Sequence, residues 1–149
     1  MATKYTVQAS THIDAPPATV YGIIADYHVG HPSILPKAFR NLSVEAGGVG
    51  AGTIITFDAH AFGSITRFRG AVTEPQPGRV LVETYTEPSP SQTTFTVVPG
   101  ANGGTDVTFF SELTSRDGLA GMIERFVSRR FLKKLYAEEL QNLTSRARR

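Results

Sequence analysis

The 149-residue sequence predicts an α+β fold: a strongly curved, seven-stranded antiparallel sheet wrapped around one long C-terminal helix, with two short helices between the first two strands. Three observations carry this. Strand-like runs follow one another between about residues 41 and 114, separated by turn clusters at roughly dozen-residue spacing, the rhythm of antiparallel hairpins. No helical period lies between those runs, so parallel pairing, which needs crossover helices, is disfavoured. After Ser115-Arg116-Asp117-Gly118 the period turns helical and stays so through about residue 145.

The elements follow in order. Residues 4–13 alternate, with Tyr5, Val7, Ala9, Thr11 and Ile13 on one face, and read as a half-buried strand. Asp14 then precedes Ala-Pro-Pro, an N-cap ahead of prolines suited to a first helical turn. Val20, Ile23, Ile24 and Tyr27 recur at helical spacing, which predicts a short amphipathic helix over 15–26. The next stretch, YHVGHPSILPKAF, is punctuated by Gly30, Pro32 and Pro36 and predicts a broken helical connection. Six runs then read as strands: LSVEA, TIITFDAHA, ITRFRGAVTE, RVLVETYTE, TTFTVV and TDVTFFSELT. In the terminal helix, Leu119, Met122, Ile123, Phe126 and Val127 form one stripe, while Leu132, Leu135, Tyr136, Leu140 and Leu143 lie on a rotated face. The helix therefore bends, breaks near Ser128–Arg130, or meets a different partner in its second half. A single long helix must cover a wide sheet, so the curved sheet has room for an interior cavity.

Composition narrows the function. About 40% of residues are apolar and 19% charged, as in ordinary globular chains, and one domain spanning 1–149 is expected. There is no Cys, which excludes disulfides, thiolate zinc sites and Cys nucleophiles. The first residues hold no apolar stretch of signal-peptide length and no run is long enough to span a bilayer, so the expected location is the cytoplasm. Net charge is +2, but residues 116–149 carry nine basic side chains against four acidic ones. That balance suits either a solvated helix face or a weak contact with an anionic membrane surface. Nucleic-acid binding has nothing else to support it, since aromatic platforms interleaved with the basic residues and recognisable motifs are missing.

GGVGAGT, residues 47–53, looks at first like a phosphate loop. A phosphate loop needs a Lys after its last glycine and then a helix; here Thr53 and the strand run IITF follow, so the glycines read as a hairpin needing φ > 0, a candidate rim for the cavity mouth. Asp58 and His60 fall opposite the apolar set of their strand and read as a surface pair. Glu83 shares parity with Leu81 and Tyr85, yet Val80 and Val82 hold the other face. The alternation leaves its orientation open, and the burial penalty favours the surface. Turned inward, Glu83 needs a donor, with Tyr85 or a ligand the natural choices. His28 and His31 share one helical turn at i, i+3, but two histidines alone fall short of a metal's ligand count, so no metal is expected. They read instead as caps of the broken helix or as lining for a cavity mouth.

Four short stretches together resemble the START-like or SRPBCC superfamily, whose fold is called helix-grip: I13-D-A-P-P-A-T-V20, G50-A-G-T53, V72-T-E-P-Q-P-G-R-V-L81 and G103-G-T-D-V-T108. The order strand, helix pair, six strands and long helix is similar to the polyketide cyclase/dehydrase and lipid-transport family in particular. D26-Y-H-V-G-H-P-S-I-L-P36 is also similar to a stretch of coenzyme-Q-binding proteins, from which the HVGH insertion departs. The resemblance implies a cavity between sheet and terminal helix for a lipid-, polyketide- or aromatic-like molecule; no cofactor is expected. Many members of the superfamily only bind, and others are cyclases, dehydratases or hydrolases. The residues expected to line the cavity are Ile24, Tyr27, Leu35, Phe57, Phe68, Leu81, Tyr85, Phe95, Phe109, Ser111, Met122 and Phe126. An enzyme would use Glu83, His28 or His31 as acid or base; an interaction module would use the basic terminal helix. Either a monomer or a homodimer is compatible with the sequence.

Overall fold

Seven antiparallel strands form one sheet in the order β1-β7-β6-β5-β4-β3-β2 in the computed structural model, which describes residues 2–149. The strands are β1 (Ala2–Ile13), β2 (Phe39–Ala46), β3 (Ile54–Ala61), β4 (Ser64–Gln76), β5 (Val80–Glu87), β6 (Ser91–Pro99) and β7 (Thr105–Arg116). Two short helices, α1 (Pro17–Ala25) and α2 (Gly30–Ile34), connect β1 to β2, and α3 (Gly118–Ala147) closes the chain. This is the helix-grip arrangement expected from the sequence. Consecutive strands from β2 to β7 pair as hairpins, and β1 returns to pair with β7 from Ala2 opposite Arg116 to Ile13 opposite Thr105. Register shifts in the β2–β3 and β4–β5 pairings mark bulges, which bend a sheet and raise its twist.

The concave face carries the core. Val7, Val72, Leu81, Phe95, Val97, Val107 and Phe109 from the strands meet Leu140, Leu143 and Tyr136 of α3 and Val20, Ile24 and Ile34 of the short helices. Each strand contributes alternate residues, as the period of two demands.

Two local expectations change, and one open alternative is decided. The first helix starts at Pro17, and its N-cap is Pro16, which offers no side-chain bond. Asp14 does not cap it; its carboxylate lies 3.3 Å from the exposed His12 imidazole. α3 is one unbroken helix of 30 residues, so no break occurs at Ser128–Arg130. Its two halves instead meet different surroundings. Leu135, Tyr136, Leu140 and Leu143 are buried, whereas the first stripe of Leu119, Met122, Ile123 and Phe126 lies open to solvent. Met122 and Phe126 are 58% and 63% exposed, which removes both from the cavity wall. Amphipathic spacing located the stripe but not the surface it faces, because a rotation of the seam between the halves turns one of them outward.

Candidate functional site

Between the sheet and the middle of α3 lies a cavity of about 270 Å³. Its wall is aromatic. Phe57 stacks on Phe68 at 5.4 Å between ring centroids, and Tyr85 sits edge-on to both. Phe95, Phe39 and Leu35 continue the wall, and Phe131 and Leu132 of α3 cover it. Phe62, in the β3–β4 turn, lies against Phe131 and is exposed, which marks the solvent end. Gly70 makes the wall possible: it pairs with Tyr85, and a Cβ there would strike the tyrosine ring.

The opposite end is polar and buried. Glu83 points inward from the middle of β5 and is 6% exposed. Its carboxylate accepts a hydrogen bond from Tyr85 Oη at 2.6 Å and another from Tyr27 Oη at 2.5 Å. Both phenols are held well above their ordinary pKa, first by burial and then by the charge of Glu83, so both stay protonated and able to donate. Glu139 enters the same end from α3, and burial, reinforced by the charges of Glu83 and Glu138, pushes its carboxyl well above the usual range. His31 Nε2 stands 3.7 Å from Glu83 Oε2 and 3.9 Å from Glu139 Oε2. Its Nδ1 lies 2.7 Å from the Ile24 carbonyl oxygen. A carbonyl can only accept, so Nδ1 carries a proton, and Nε2 is the ring atom turned toward the two carboxyl groups. The ring is clamped by a stacked Tyr27 at 4.5 Å and an edge-on Phe95 at 5.6 Å. Beside this cluster, Tyr136 hydrogen-bonds the Ser111 hydroxyl, which in turn bonds Thr93 at 2.8 Å. Burial raises the Tyr136 phenol to about 12, partly offset by those hydroxyl contacts.

The glycine-rich segment over 47–53 supports this end from outside. Gly48 O accepts from Tyr27 N at 2.8 Å, and Gly50 N donates to Ala25 O at 2.9 Å, so the segment is pinned to the end of α1. Gly48 has φ +141°, and its missing Cβ leaves room for the His28 ring. None of 47–53 lines the cavity; the segment fixes the backbone that aims Tyr27 at Glu83 and does not rim the mouth.

The profile of the polyketide cyclase/dehydrase and lipid transport family matches residues 4–148. The chain belongs to that family. No curated protein matches it at a significant level. Among solved structures, the KanY protein is similar at 25% identity, with a TM-score of 0.86 over 99% of both chains. TTHA0849 from Thermus thermophilus shares 22% identity and a TM-score of 0.79, covering 96% of this chain and 97% of that one. A START superfamily protein from Mycobacterium smegmatis shares 15% identity and a TM-score of 0.75, again over 96% and 97%. The latter two share the fold.

Within this family frame the sequence candidates divide into three groups. Leu35, Phe57, Phe68, Tyr85, Phe95, Glu83 and His31 line the cavity. Tyr27 and Ser111 stand just behind the lining and act on it through hydroxyl hydrogen bonds. Ile24, Leu81 and Phe109 are fully buried packing residues, not cavity walls, and Met122, Phe126 and His28 face solvent. His28 and His31 do not converge because His28 lies on the outer side, against Gly48. Asp58 pairs with Arg67 across the β3–β4 hairpin at 3.0 Å and takes no part in the site. Phe39, Phe62, Phe131, Leu132, Tyr136 and Glu139 line the cavity without having been singled out from the sequence. For Glu139 a signal exists: it falls three residues after Tyr136 and four before Leu143, on the buried face of α3. Among the described residues no cluster of His, Asp or Glu has the arrangement of a metal site, and no helix is long and apolar enough to cross a membrane.

Proposed function

We propose that this protein binds a small hydrophobic molecule inside the cavity, with an aromatic or alicyclic body against the wall and a polar group toward Glu83, His31 and Glu139. The observation that carries this reading is a single cavity that combines an aromatic wall with one buried polar end. Small-molecule sites share that design: apolar burial supplies affinity and a few fixed polar groups supply orientation. A cavity of about 150 Å³ holds benzene, so about 270 Å³ suits roughly two fused rings. Family membership supports the same class of ligand. Native mass spectrometry of gently purified protein is expected to reveal a retained apolar molecule, and added bicyclic aromatics are expected to raise the melting temperature by linkage. Absence of both effects in wild-type protein overturns the reading, and Phe57→Ala is expected to weaken whichever effect is seen.

One observation favours a second reading, acid–base turnover of the bound molecule. Glu83 and Glu139 differ in environment, one holding two phenolic donors and the other pushed toward its protonated form, and such a split suits a base and an acid. Incubation of candidate ligands with wild-type and Glu139→Gln protein, followed by mass spectrometry of the small molecule, separates turnover from binding. Product that appears only with the wild type supports an enzyme.

A further inference from the structure

Three polar atoms at the buried end of the cavity stand beyond direct hydrogen-bond reach across the gaps between them, among the described residues. Nε2 of His31, Glu83 Oε2 and Glu139 Oε2 face one another across gaps of 3.7 and 3.9 Å from the imidazole, too wide for direct hydrogen bonds. An atom placed between them reaches two or more at ordinary hydrogen-bond distance. Neither tyrosine serves as that donor, because the hydroxyls of Tyr27 and Tyr85 are already committed to Glu83. Glu139 is 3% exposed, and among the described residues lining the cavity there are two glutamates and no Lys or Arg. Burial holds the Glu139 carboxyl toward its protonated form, and a group that brings both positive charge and N–H donors can take the place of that proton.

We infer that this end is an ammonium subsite, and that the ligand is an apolar, ring-bearing primary or secondary amine whose nitrogen sits between His31, Glu83 and Glu139. The inference rests on the binding reading above and adds the chemical class of the ligand's head. A primary ammonium carries three hydrogens and a secondary one two, enough for both carboxyl groups, while the ring system fills the Phe57–Phe68–Phe95 wall. A hydroxyl brings one donor and no charge; a carboxylate brings a negative charge beside two carboxyl groups. In the empty cavity burial favours the protonated form of Glu139, and the arriving cation allows that proton to leave for solvent.

The test uses three probes that share a naphthalene body and differ in the head: 2-(2-naphthyl)ethylamine, 2-(2-naphthyl)ethanol and 2-naphthylacetate. Each is titrated into the full chain at neutral pH, with affinity read from naphthalene fluorescence or calorimetry. The amine is expected to bind at least tenfold more tightly than the alcohol, and the carboxylate more weakly than either. Glu139→Gln is expected to weaken amine binding more than alcohol binding, shrinking the amine-to-alcohol ratio severalfold. Calorimetry in buffers of different ionisation enthalpy is expected to register proton release with the amine and not with the alcohol. If the alcohol or the carboxylate binds as well as the amine, the ammonium subsite is overturned and the cavity reading stands. An amine preference unchanged in Glu139→Gln also overturns it. If no probe binds the wild type, the ammonium subsite falls, and the binding reading falls with it when native mass spectrometry also finds no retained molecule.

Discussion

Removing the hydroxyl of Tyr85 tests the electrostatics of the buried end most directly. Tyr85→Phe keeps the ring that packs across Gly70 and against Phe57 and Phe68, so the wall is preserved. What disappears is the 2.6 Å bond to Glu83 Oε1, leaving that oxygen without its phenol. Hydrogen bonds to charged groups contribute roughly 1.5–3 kcal/mol, and the cost rises when the abandoned partner is buried. For a domain of this size, about 1 kcal/mol moves Tm by about 2–4 °C, so a fall of roughly 3–12 °C is expected. Urea denaturation of wild type, Tyr85→Phe, Glu83→Gln and the double variant closes a double-mutant cycle. In the Glu83→Gln background the same hydroxyl makes a neutral bond, worth about 0.5–1.5 kcal/mol, so a coupling of about 1 kcal/mol or more is expected. A Tyr85→Phe cost equal in both backgrounds refutes the argument, because the hydroxyl then does not act through the charge of Glu83.

Two further outcomes are expected. Gly48→Ala introduces a side chain at φ +141° whose Cβ lands on the His28 ring, and is expected to cost about 1–3 kcal/mol by thermal denaturation. Adding His28→Ala should return the steric part and leave the backbone strain; no recovery argues against the clash. Glu139→Gln is expected to change how stability varies with pH. Below the ordinary Glu value of 4.5 the carboxyl is protonated in both folded and unfolded chains and costs nothing. As pH rises past that value the unfolded chain ionises while the folded one keeps its proton, so the wild type loses stability that the Gln variant does not. Glu83, His31 and Tyr136 face Glu139 and Glu138 flanks it, and these groups are common to both proteins. The variant should gain on the wild type as pH rises above about 4.5; parallel urea midpoints above that pH would refute the burial of a protonatable Glu139.

The strands were legible because one period of two, interrupted by turn residues, runs through most of the chain. The helix boundary at Gly118 was equally plain. The site was legible where parity decides direction, as for Phe57, Phe68 and Phe95. It was not legible at Glu83, where both faces of β5 are apolar: Leu81, Val82 and Tyr85 are all buried, so alternation carries no direction there. The two phenols that make an inward carboxylate tolerable come from β5 itself and from the α1–α2 connection, 56 residues earlier, and no local pattern announces the second. α3 misled for a different reason. Its cleanest apolar stripe is exposed, and the cavity is covered instead by Phe131, Leu132, Tyr136 and Glu139, a mixed set that a scan for hydrophobic residues divides.

The pairing of β1 with β7 has a bearing on how the chain acquires its shape during synthesis. The end of β1 at Ile13 and the start of β7 at Thr105 are roughly 90 residues apart, which at about 5–20 residues per second means a wait of roughly 5–20 s on the ribosome. Hairpins from β2 to β6 can zip in sequence during that time, since each closes only a short loop. The first strand has no partner until the last one emerges, and the apolar floor has no cover until α3 follows it. The cavity is therefore a late product of folding: until α3 packs down the sheet is open on its apolar side, and only then does this fold have an inside.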